Sequence, residues 1–173
     1  TGLAPYISFL RSYVNLHRDI NMAVIHGAAY QWDLGYFSEL SFIASAFANF
    51  HYLPTLLKAD DSWQGLRGYI QEHLSSDLLP SLGIGLRPEE THFFLCGNPR
   101  MIECVTDLLA PSGYTRHTSS RPGALHVEDI DRWTGKVELG CKSSLDFVLC
   151  SNICNHQKIN YQYETMQKIL GTQ

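Results

Sequence analysis

Two short stretches hold the residue types and spacing that suit an extended anionic ligand. Thr1-Gly2-Leu3-Ala4-Pro5 is a glycine turn running straight into a proline-started helix. Such a turn lets backbone approach a phosphate closely and aims a helix N-terminus at its charge. Cys96-Gly97-Asn98-Pro99-Arg100-Met101-Ile102 follows an apolar stretch with a small thiol and bare backbone. Asn98 then stands where it can cap a helix that has Pro99 at its first position. In open α/β sheets, ligands bind at the carboxyl edge, where a strand gives way to a helix in this manner. Each stretch alone has an ordinary reading as well, TGLAP as a plain helix start and Cys96 as a buried strand cysteine.

A third set is weaker. Cys141, Cys150, Cys154 and His156 fall in a C-x8-C-x3-C-x-H order. Thiolate and imidazole are the usual zinc ligands, but this spacing matches no common structural site. The order also lacks the C-x4-C-x2-C run of a plant-type iron–sulfur domain. The eight histidines are scattered without ligand spacing on one face. No metal site is expected.

The elements that must position these residues alternate along the chain. Pro5 opens a helix in which Tyr6, Phe9, Leu10, Tyr13 and Val14 recur at helical spacing. Residues 22–26 (MAVIH) read as a buried strand ended by Gly27, and Asp33 reads as the cap of a helix carrying Leu34, Phe37, Leu40, Phe42 and Ile43. A second strand is expected over 50–57, a short helix over 65–74, and a Ser-, Pro- and Gly-rich loop over 75–88. Residues 91–96 (THFFLC) are the clearest strand, followed by a helix over 98–109 and a last short strand over 124–127. Helices and strands in strict alternation imply a three-layer α/β fold, an open parallel sheet with helices on both faces. Near Glu128 the composition shifts towards Asn, Gln, Lys, Tyr and Cys, which places a boundary between residues 1–128 and a C-terminal extension, 129–173.

Composition bounds the function. The chain has 173 residues, 45% of them hydrophobic and 17% charged, enough for one α/β domain with a core and a modest appendage. A net charge of -4 and a pI near 6.0 argue against nucleic acid, whose partners carry a basic face. The apolar runs fall well short of the roughly 20 residues that span a bilayer, and residues 1–14 show no signal-peptide pattern. Five cysteines without a framework spacing point to free thiols in a reducing, cytoplasmic compartment.

Taken together, the two loops resemble the ferredoxin–NADP reductase family. Its nucleotide domain opens with Gly-Thr-Gly-x-Ala-Pro and closes with Cys-Gly-x-Pro-x-Met. Between the loops, His26-Gly27 and Asp33-Leu34-Gly35-Tyr36 look like the family's His-Gly and Leu-x-Tyr segment. Gly123-Ala124-Leu125-His126-Val127-Glu128 looks like its C-terminal strand, so the resemblance spans residues 1–128. It implies that Thr1 and Gly2 line the pyrophosphate and nicotinamide path. It also implies that Cys96, Gly97, Asn98, Pro99 and Met101 form the loop beside the nicotinamide, with Cys96 a positioning group rather than a nucleophile. Hydride would pass between NADPH and an FAD carried by a separate flavin-binding domain, then onward to a ferredoxin- or flavodoxin-like carrier. The other readings are a non-catalytic NAD(P)H-binding module and an NADH-dependent oxygenase reductase component.

The choice of nucleotide rests on residues 55–71. The family's phosphate-binding Ser-Arg pair falls on Leu57-Lys58, and Arg67-Gly68-Tyr69-Ile70-Gln71 resembles the plant-type segment that holds the 2′-phosphate and adenine. The resemblance therefore assigns Lys58 and Arg67 to the phosphate of NADP(H), and Tyr69 and Gln71 to the adenosine. Ala29 replaces an arginine common in bacterial relatives, Asp60 and Asp61 suit ribose hydroxyls, and Trp63-Gln64-Gly65 looks like NADH-using relatives, so NAD(H) stays open.

The family's flavin domain and first strand precede the opening loop, and here the sequence starts inside that loop. As given, the chain reads as truncated and unable to run the whole reaction alone. In this fold the strand leading into the loop is central, and leaving its slot empty would cost about 1–3 kcal/mol per buried unpaired group. The apolar run Leu145-Asp146-Phe147-Val148-Leu149-Cys150 is a candidate to fill it, with Asp146 the residue that fits least. A solvated tail or a small separate hairpin is the more ordinary expectation for that segment.

Overall fold

The computed structural model describes residues 3–74, 77–127 and 146–152. Its centre is a six-stranded sheet in the order β3-β2-β1-β6-β4-β5, every neighbouring pair parallel. In chain order the elements are α1 (Ala4–Tyr13), β1 (Met22–Ala28), α2 (Phe37–Ala46), β2 (Phe50–Leu56) and β3 (Leu66–Arg67). Then follow α3 (Ile70–Leu74), α4 (Leu78–Ser81), β4 (Thr91–Cys96), α5 (Pro99–Leu109), β5 (Leu125–Val127) and β6 (Asp146–Asn152).

Alternation along each strand divides the core between two faces. Ala23 and Ile25 of β1, with Phe93 and Leu95 of β4, pack beneath α3, α4 and α5 against Ile70, Leu79, Val105 and Leu109. Met22 and Val24, with Phe94 and Cys96, meet Ile7, Leu10 and Tyr13 of α1 and Leu40 and Ile43 of α2 on the opposite face. All seven residues of β1 are buried, as a strand covered on both faces requires. Asn49 secures the turn between α1 and β1, its Nδ2 donating to the carbonyls of His17 and Ile20, each at 3.0 Å.

The segment beyond residue 145 resolves the question of the central slot. β6 lies between β1 and β4 and pairs with both, Phe147 to Asn152 against Met22 to Gly27 and Asp146 to Ser151 against Thr91 to Cys96. Asp146 lies opposite Thr91 but before the first residue paired with β1, so the register puts it at the sheet's amino margin. The compositional boundary near residue 128 lies outside the described residues, and β6, from beyond it, shares the sheet with β1–β5.

Four local expectations are corrected. The first strand does not stop at Gly27 but runs to Ala28. Gly27 is a point of close approach instead, since a Cβ there would stand 3.0 Å from Ile70 Cδ1. Asp33 does not cap α2. Its Oδ2 accepts the Tyr30 amide at 3.2 Å and closes a 3-10 turn, Gln31–Asp33, and α2 starts after Tyr36 in a left-handed conformation, φ 62°. The helix expected over 65–74 is split by Gly68 at φ 100°, leaving an edge strand and a short helix. Inside the expected 75–88 loop, α4 makes one helical turn that buries Leu79.

The double pairing of β6 sets a test. Val148 is opposite Ala23 on one side and Phe93 on the other. Val148→Pro removes a ladder donor where no solvent replaces it, and unfolding in urea is expected to lose about 3 kcal/mol. An unchanged midpoint for the proline variant would show that the segment does not pair there.

Candidate functional site

The strand order reverses around β1, β6 and β4, with β2 and β3 to one side and β5 to the other. Ligands of open α/β sheets bind at the carboxyl edge of such a reversal. α1 starts at Ala4 with Pro5 in its first turn, and Thr1 and Gly2 before it lie outside the described residues. α5 starts at the same edge, directly after β4.

The β4–α5 loop is built as its sequence requires. Cys96 is fully buried against α1 and the neighbouring strands. Gly97 turns the chain at φ 120°, a conformation that side chains oppose, and this leaves backbone bare at the edge. Asn98 Oδ1 accepts from the Arg100 amide at 2.9 Å, so its side chain is occupied in starting α5 above Pro99. Met101 is buried in the apolar cluster under α5 rather than presented at the edge.

On the other half of the sheet, the two assigned cations differ. Lys58 is exposed just past β2, its amide bonded to Ala29 O at 2.9 Å and its Nζ donating to Tyr30 Oη at 3.1 Å. Arg67 donates to three carbonyls, those of Ala59 at 3.1 Å, Asp60 at 2.8 Å and Trp63 at 3.3 Å. Its guanidinium therefore ties down the loop that follows Lys58. Asp60 is also engaged, its Oδ1 accepting from the Ser62 hydroxyl and amide, bonds that hold the carboxyl below its usual range. Trp63 is buried with Ala28, Leu34 and Leu56 and donates its indole N–H to Leu66 O at 2.9 Å. Tyr69 is exposed beside this loop, and Gln71 keeps a buried Oε1 without a hydrogen-bond partner among the described residues.

One residue had no place in the reading of the sequence, and a second was read there only as part of a strand and a His-Gly segment. Trp32 is 79% exposed, yet its ring stacks on Tyr30 with centroids 4.6 Å apart and planes 10° apart. Two aromatics flanking Gln31 just past the strand that holds Gly27 were the available signal. His26 is the second. It is fully buried on β1, with Nδ1 3.0 Å from Tyr52 Oη and Nε2 unpartnered among the described residues. Burial pushes its pKa down to about 4 and pushes the Tyr52 phenol up. Across the sheet His126 lies between Phe94 and His117, centroids 4.6 and 4.8 Å away, and its Nε2 is 2.9 Å from His92 Nδ1. Burial first, then its two imidazole neighbours, depress His126 to about 3. Among the described residues no group of three His, Cys, Asp or Glu side chains could hold a metal ion. Nor is any helix among them long and apolar enough to cross a membrane.

A reversing parallel sheet with two helices starting at its carboxyl edge defines a dinucleotide-binding class of α/β domain. Residues 1–107 match the family model described as the oxidoreductase NAD-binding domain, and the chain belongs to that family, the nucleotide module of the ferredoxin–NADP reductases. Among curated proteins it is 32% identical over 108 residues to ferredoxin–NADP reductase B of Sorangium cellulosum, covering 62% of this chain and 44% of that protein. It is 30% identical over 105 residues to the anthranilate 1,2-dioxygenase electron transfer component of Acinetobacter baylyi, covering 61% of this chain and 29% of the relative. The same fold occurs in the ferredoxin NADP+ reductase of Neisseria gonorrhoeae solved with FAD and NADP. The TM-score is 0.52 at 20% identity, with 67% of this chain and 59% of that one covered. The chain thus spans about half the length or less of the curated relatives it matches.

The buried histidines make stability depend on pH. Their folded pKa values are depressed, so below 6.5 the unfolded chain takes up protons that the folded chain refuses. Stability is therefore expected to fall as pH drops from about 6.5 towards 4, by about 2 kcal/mol for each of His26 and His126 between pH 6.5 and 5. Urea midpoints from pH 7.5 to 5 measure it, and His126→Gln should flatten the slope. A pH-independent midpoint would refute the assignment.

Proposed function

We propose that this chain binds NADPH along the carboxyl edge of its sheet and presents the nicotinamide to a flavin held by another domain. Electrons would then pass to a ferredoxin- or flavodoxin-like carrier. The observation that carries the reading is the edge itself. Gly97 leaves bare backbone there, α1 and α5 both start there, and Lys58 stands across the reversal as an exposed cation. Those features suit a long ligand with phosphates at its middle and at one end.

In this reading NADPH supplies the hydride, and the chain's residues bind, orient and exclude water. Thr1 and Gly2 with the start of α1 would take the pyrophosphate. Gly97, Asn98 and Pro99 would border the nicotinamide. Cys96 would be the wall beneath it, since complete burial suits a positioning group better than an attacking thiol. Lys58 would meet the 2′-phosphate with the donors that its bond to Tyr30 leaves over. Arg67 would serve by fixing the loop beside that phosphate, with Tyr69 and Gln71 at the adenosine. A second reading, NADH as donor in an oxygenase reductase, is favoured by that engagement of Arg67 and by Ala29 in place of an arginine.

Titration of both nucleotides separates the two. Lys58→Ala is expected to weaken NADPH binding by about 1–3 kcal/mol and leave NADH nearly unchanged. Equal losses for the two nucleotides would move the assignment to NADH, and no binding of either would sink the reading altogether.

A further inference from the structure

We infer that Trp32 is the stacking surface for the adenine ring of the bound nucleotide, with Tyr30 as its support and Lys58 as the neighbouring phosphate contact. This rests on the nucleotide-binding reading above, adds a residue to which that reading gives no role, and moves the adenine face from Tyr69 to it.

The first observation is cost. An indole that is 79% exposed forgoes the burial that usually retains tryptophan, so the fold gains little from leaving it there. The second is order. The ring is held in one plane by stacking on Tyr30 at 4.6 Å and 10°. Tyr30 is fixed in turn at its hydroxyl by Lys58 Nζ, 3.1 Å away, and at its amide by Asp33 Oδ2, 3.2 Å away. The tight turn Gln31–Asp33 carries the indole, with the amides of Asp33 and Leu34 bonded to the carbonyls of Tyr30 and Gln31, each at 3.1 Å. One face of Trp32 is thus covered by a phenol ring and the other is open. A flat, preorganised π surface beside a cation suits a purine that carries a phosphate on its ribose.

The third observation is place. Tyr30 and Lys58 follow the carboxyl ends of β1 and β2, where Lys58 N bonds Ala29 O. The indole therefore stands on the β1–β2 side of the reversal, across from the Cys96-Gly97 loop. An extended dinucleotide with its nicotinamide at Gly97 reaches that side with its adenosine. Tyr69 is the competing platform. It too is exposed, at 52%, but none of the described rings stacks beneath it to fix its plane.

The test uses 2′,5′-ADP, 5′-AMP and NADPH, each titrated calorimetrically into the full chain. Trp32→Ala touches no core residue and is expected to keep the parent's thermal midpoint. Its affinity for 2′,5′-ADP and for 5′-AMP is expected to drop about tenfold, the usual scale for losing one base–aromatic stack, and Trp32→Phe should recover most of it. Lys58→Ala should weaken 2′,5′-ADP several-fold more than 5′-AMP, which separates the cation's part from the indole's. If the parent binds 2′,5′-ADP and Trp32→Ala binds it within twofold, or if Tyr69→Ala alone carries the loss, the inference is overturned while nucleotide binding stands. If the parent binds none of the three probes, both readings fall.

Discussion

The backbone pairing of β6 with two neighbours is the constraint on which the rest of the molecule depends. Remove it, and β3-β2-β1 and β4-β5 become separate ribbons, each with an open inner edge. Neither apolar cluster survives such a split intact. Val24 shares one with Phe94 across the seam, and Ile25 shares the other with Phe93 and Leu95. The proposed nucleotide edge is divided by the same seam. Lys58, Tyr30 and Trp32 stand on one ribbon and Cys96-Gly97 on the other, so β6 sets the distance between the ends of any ligand lying across them.

Much of this was legible in the residues. The β4–α5 loop, the helix opened by Pro5, the alternation of helices and strands, and the sheet's parallel character follow from glycine, proline and periodicity at fixed places. What local sequence could not decide was which of several possible partners a group would choose. Asp33 is a good helix cap by type, yet Tyr30 offers its amide first. Gly27 looks like a strand breaker, but it is small because α3 packs against it. Arg67 has the chemistry of a phosphate ligand, and nothing in its neighbours' identities says that three carbonyls of the next loop will meet its guanidinium. For 145–150 the difficulty was the reverse. The run reads as a strand, but its acidic second residue argued against burial until the register put Asp146 at the margin.

The polar groups of the core follow a common rule, that a buried polar side chain is kept neutral or kept bonded. Asn49 satisfies carbonyls of the turn between α1 and β1, a role that its position between a helix and a strand does not announce. His26 and His126 stay neutral instead, one against a tyrosine hydroxyl and one within a stack of rings. Protonating either would strand a charge between the sheet and the layer above it. The charged residues at the candidate site are by contrast at the rim, where water shares the load.

A central strand drawn from so far along the chain also bears on how the protein is made. Met22 pairs with Phe147, and at about 5–20 residues per second the ribosome needs on the order of ten seconds to travel from one to the other. Once β1 has left the ribosome, and until β6 follows it, it carries one long edge open, is apolar on both faces, and lacks that partner. Such an edge recruits whatever strand arrives, including that of a neighbouring nascent chain. Yield during expression is therefore coupled to elongation speed and to chaperone supply, and slow codons between β1 and β6 would lengthen the exposure rather than relieve it.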